Sequence, residues 1–109
     1  MRPAPDAEPR AAHQQRLCRL LQRFRSEERE LAQSLRSLQA ELDFWQRETA
    51  IARTIDPRDA DRLAVQVGEL QEACDLTADE LAHVRLALHG AAEELATHLA
   101  DRVPAEAVA

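Results

Sequence analysis

Few residues in this chain have the types and spacing that chemistry needs. Glu80 and His83 stand three apart, the Glu-x-x-His spacing with which helical bundles hold a pair of metal ions. Such a site needs further carboxylates aimed into the bundle, and Glu28 alone falls on an apolar seam. Glu80 as a helix-capping or surface residue is the simpler reading. His89, Glu93, Glu94 and His98 recur at four- and five-residue spacings, which an exposed polar face explains far better than a metal site. Cys18 and Cys74 form neither a disulfide framework nor a metal-ligand pattern, and suit a reducing compartment as small flank or core residues. There is no nucleophile-elbow motif, phosphate loop or zinc motif. No catalytic residue, metal or cofactor is therefore expected, and a non-enzymatic role follows.

The basic run Arg16, Arg19, Arg23, Arg25 and Arg29 could meet nucleic acid or lipid. It is interrupted by Glu27 and Glu28, carries one aromatic residue, Phe24, and belongs to a chain of net charge −6. An acidic protein without interleaved aromatics is a poor nucleic-acid binder. No apolar run approaches the length of a membrane span, and the N-terminus has no apolar signal core. The expectation is a soluble, intracellular, cytoplasmic protein with neither nucleic-acid nor membrane partner.

What the composition supports is helix. The 109 residues include 21 Ala, 15 Leu and 2 Gly, with no Tyr, Asn or Lys. Strand formers are scarce. All 14 basic residues are Arg, which a GC-rich gene explains more simply than selection for Arg contacts.

The pattern is heptad. Leu17, Leu21, Phe24, Glu28, Leu31, Leu35, Leu38, Leu42, Trp45, Thr49 and Ala52 alternate spacings of four and three. Pro3, Pro5 and Pro9 mark residues 1–10 as a flexible lead. A helix is then expected over 11–54, about 44 residues or roughly 65 Å. Asp56 and Pro57 punctuate it, as N-cap and first residue of a second helix. That second helix, over 57–101, carries its own seam: Ala60, Leu63, Val67, Leu70, Cys74, Thr77, Leu81, Val84, Leu88, Ala91, Leu95 and His98. Thr77 and Glu80 have capping-box spacing, with Leu76 and Leu81 as a candidate staple, so a break or kink near 75–77 competes with continuity. The unbroken seam phase and the absence of Gly or Pro there favour continuity. Residues 102–109 form a flexible tail.

A two-residue turn makes neighbouring helices antiparallel. The fold class is all-α, a long antiparallel helical hairpin in which the numbers of facing residues add up to about 111. This register sets Trp45 against Val67 and Gly68, and Leu21 and Phe24 against Leu88, Gly90 and Ala91. Large-against-small packing would explain both glycines. It also brings Glu28 to Val84 and Arg85, as a polar device that fixes register or as a carboxylate that escapes to solvent. Charge agrees: residues 11–54 hold eight Arg against six acids, residues 57–101 three Arg against ten.

Apolar side chains are left over. Cys18, Leu20, Phe44 and Ile51 lie off the first seam, while Ala64, Ala73, Ala78, Ala87, Ala92 and Leu99 flank the second. Flanking positions of a two-helix seam usually carry charge. The expected function is a structural interaction subunit, a scaffold, adaptor or tether, that homodimerises into a four-helix bundle or joins a helical complex by binding helical protein partners through its seams. The alternative is a small helical chaperone or regulator that sequesters a partner's amphipathic helix.

Overall fold

A computed structural model describes residues 7–102. It has two helices, α1 (Ala7–Ile55) and α2 (Pro57–Arg102), packed as a hairpin. Of the lead expected over 1–10 and the tail expected over 102–109, residues 1–6 and 103–109 lie outside the described residues. Helix α1 starts four residues earlier than expected. Pro9 falls in its first turn, where the backbone N–H groups have no intrahelical acceptor and a missing one costs nothing.

Asp56 alone joins the helices. Its N–H donates to the Ala52 carbonyl at 2.7 Å, extending α1, and its own carbonyl accepts from the Ala60 N–H at 3.1 Å, opening α2. Its Oδ1 accepts from the Arg58 N–H at 3.1 Å, which makes it an N-cap, with Pro57 at the first helical position. Asp59 adds negative charge in the first turn of α2 and holds Arg62 at 2.7 Å.

Helix α2 runs without a break through Thr77. The capping-box reading fails because Thr77 is half-buried on the seam and Leu81 is buried there, while Leu76, 60% exposed, makes no staple with it. A seam that keeps its phase outweighs a local start signal.

The chain divides into two compact units. One contains the turn and runs from Arg29 to Ala82. Its innermost cluster is Ala52, Ala60 and Leu63, with Trp45 packed against it, and Leu42, Thr49, Cys74 and Leu81 are also buried. The other unit sets the described residues up to Glu28 beside those from His83 onward. Leu17, Leu21 and Ala91 are its buried residues. Each buried leucine stabilises its unit by about 1.5–3 kcal/mol relative to an exposed one.

The glycines need a different account from the large-against-small one. Gly68 and Gly90 are exposed, and a Cβ built on either meets no atom within 4 Å. Both lie off the seam: Gly68 follows the seam residue Val67, which puts it on the flank of α2. Trp45 packs instead on the cluster toward the turn. With no packing role, each glycine only weakens its helix. Gly68→Ala is expected to stabilise the protein by about 1 kcal/mol in urea unfolding followed by circular dichroism. A loss of stability would show a close neighbour that Gly68 does not have.

Candidate interaction surface

The two seams cover each other within one chain. Leu17, Leu21 and Leu42 on α1, and Leu63 and Leu81 on α2, are buried. Phe24, Glu28, Leu31, Leu35, Leu38 and Trp45 on α1, with Val67, Leu70, Val84, Leu88 and Leu95 on α2, are half-buried. Gly68 is the one residue counted with the seam that stands exposed. It lines a groove on one flank, between Gln46, Ala50 and Arg53 of α1 and Ala64 and Gln71 of α2. That groove, of about 530 Å³, has the volume of a ligand cleft but brings in a single charged group, Arg53. Small side chains in an open groove suit the approach of another helix better than a small molecule.

Two polar seam residues, Glu28 and Thr49, find hydrogen-bond partners. Arg85 Nε donates to Glu28 Oε2 at 3.3 Å, the contact that the antiparallel register anticipates. Both groups keep water contact, so the pair adds little stability and serves as a register marker. Thr49 is buried, yet its hydroxyl donates to the Trp45 carbonyl at 2.7 Å, four residues back. That bond removes the weakness expected of a hydroxyl on the seam, and such back-bonding is the signal that could have revealed it. His98, the last residue of the second seam, is half-buried. Its ring meets that of His13 edge-on, centroids 5.2 Å apart, and its Nε2 is buried without a hydrogen-bond partner. His13 Nε2 lies 3.6 Å from Glu94 Oε1.

The candidate chemical residues are on the outside. Glu80 and His83 are exposed, and His89 pairs with Glu93 at 3.0 Å along one helix face. Among the described residues, no three His, Cys, Asp or Glu side chains converge to hold a metal ion. Cys18 is exposed, Cys74 is buried, and both are free thiols. Among the described residues, no helix is long and apolar enough to cross a membrane.

Apolar side chains make up the unusual part of the surface. Leu20, Phe44, Ile51 and Leu99, anticipated as leftovers, are exposed. So are Ile55, Val65, Leu76 and Leu86, which the heptad reading passed over because a seam pattern says nothing of apolar residues on the outer positions. Phe44 is 52% exposed with its ring held edge-on against Trp45, centroids 5.1 Å apart. Among the described residues, no large side chain is fully enclosed. Two helices alone cannot surround one.

No protein family, curated protein or solved structure matches the chain.

Proposed function

We propose that this protein is a non-enzymatic helical interaction subunit, a scaffold, adaptor or tether whose outer flanks pack against other helices. The observation that carries the reading is the pairing of spent seams with unspent flanks. The seam leucines already cover one another, while Phe44, Ile51, Ile55, Val65, Leu76 and Leu86 are each more than half exposed. Isolated apolar residues on a surface are ordinary, but this many on two helices without an enclosed core mark a surface that a partner covers. The seams build the hairpin, and the flanks bind.

The mechanism is burial without chemistry. Residues already held in a helix present apolar side chains at helical spacings, so less conformational freedom is lost on association than by an unfolded segment. The mass of the full chain in solution, by sedimentation equilibrium, tests the reading. A mass above one chain, or a gain in mass on adding a helical partner captured from the native cell, supports it. A chain that stays monomeric and captures no helical partner contradicts it.

A further inference from the structure

We propose that the partner covering the outer flank of α1 is a second copy of the same chain, the two α1 helices lying antiparallel about a twofold axis. This rests on the reading above and deepens it by naming the occupant. With Leu17 and Phe24 at heptad position d and Leu21 and Glu28 at a, residues 16, 23, 30, 37 and 44 of α1 fall at c and residues 20, 27, 34, 41 and 48 at g, a flank with opposite characters at its two ends. Near the start stand Arg16, Leu20 and Arg23, which with Arg19 line a shallow groove. Near the end stand Glu41, Phe44 and Glu48, with Leu20 38% and Phe44 52% exposed. One end offers base, leucine, base. The other offers acid, aromatic, acid, at the same four-and-three spacing.

An antiparallel pair brings each end onto its complement, and a twofold axis makes every contact twice. When the numbers of facing residues add to about 64, Arg16 meets Glu48, Leu20 meets Phe44, and Arg23 meets Glu41. Every pair then joins a c position to a g position, as antiparallel helices require. Between the ends, Glu27 and Glu30 meet Ser37 and Ser34, whose small side chains line a second shallow groove with Leu38 visible in it. Charge selects this register. A slide of one heptad in one direction sets Glu27 against Glu30, and in the other Glu30 against Glu41. Arg23 already holds Glu27 of its own helix at 3.1 Å, in an exposed pair that adds little. Its guanidinium has donors enough to hold Glu41 of the second copy as well.

Charge reversal tests the pairing. The wild-type full chain is expected at twice the 12.2 kDa chain mass in sedimentation equilibrium. Arg23→Glu and Glu41→Arg, each at an exposed position, should raise the dimer dissociation constant at least about tenfold, since each change turns two attractive contacts repulsive. The double variant should return to within about threefold of wild type. Circular dichroism on the same samples should show unchanged helix content. Restoration requires that the two residues face each other, so a merely structural effect would not produce it. A monomeric wild type overturns the proposal, as does a dimer indifferent to the single changes, or one restored by pairing Arg23→Glu with Glu48→Arg. In each of those cases a larger assembly or a captured helical partner would leave the interaction-subunit reading standing, whereas a monomer that captures nothing removes both.

Discussion

Leu81→Asp is expected to abolish cooperative unfolding near room temperature or to lower the melting temperature by on the order of 20 °C. Leu81 is 4% exposed on the α2 seam. Truncating a buried leucine to alanine costs about 2–5 kcal/mol through lost transfer energy and the cavity left behind. Aspartate adds the cost of desolvating a carboxylate on the buried seam. A hairpin with no fully enclosed large side chain has little stability to lose. Leu76, five residues earlier on the same helix, is the control. At 60% exposure, Leu76→Asp should change stability by no more than about 0.5 kcal/mol. The contrast is read by thermal unfolding followed at a helix band. Equal effects at the two positions would mean that the seam is not where the hairpin is held.

Ala60→Leu comes second in size, at about 2–3 kcal/mol of destabilisation. Ala60 is 2% exposed and sits in the cluster of Ala52 and Leu63, with Trp45 against it. A joint of one residue, Asp56, leaves the helices close together just beyond the turn, and only small side chains fit between them. A leucine there must push the helices apart or adopt a strained rotamer. Ala64, four residues on, lines the open groove of the flank. Ala64→Leu therefore has room, and should leave stability within about 0.5 kcal/mol of wild type. The intrinsic fluorescence of Trp45, the one tryptophan of the chain, reports on the same cluster during urea unfolding. Tolerance of leucine at position 60 would contradict the tight apex.

The seams were legible in the sequence because burial along a helix pair has one period, and every buried described residue falls on that period. Asp56 and Pro57 were legible for a similar reason, since a cap followed by a proline has a single mechanical use. Other features depended on phase or context. Gly68 was placed against Trp45 by counting along the register, but its position one residue past Val67 puts it on the flank. Pro9 read as a helix breaker, although proline in a first turn breaks nothing. Thr77 carried a start signal that a continuous seam overrode. The hydroxyl of Thr49 counted as a defect until its bond to the Trp45 carbonyl was seen. Leu20, Phe44, Ile51 and Leu99 were legible as leftovers, whereas the exposed Ile55, Val65, Leu76 and Leu86 carry no heptad signal and became visible only in the fold.

The two seams close on each other within one chain, and the flanks are what we propose partners cover. Cysteines at Glu28 and Arg85, whose side chains meet at 3.3 Å, test that closure most directly once Cys18 and Cys74 are replaced by serine and alanine. Light and heavy isotope-labelled chains are mixed, unfolded, refolded together, cross-linked with a short bifunctional maleimide and digested. The account expects position 28 joined to position 85 with both halves light or both heavy. Joined peptides with one light and one heavy half, in the proportion random pairing gives, would show that the seams close between chains and would contradict it.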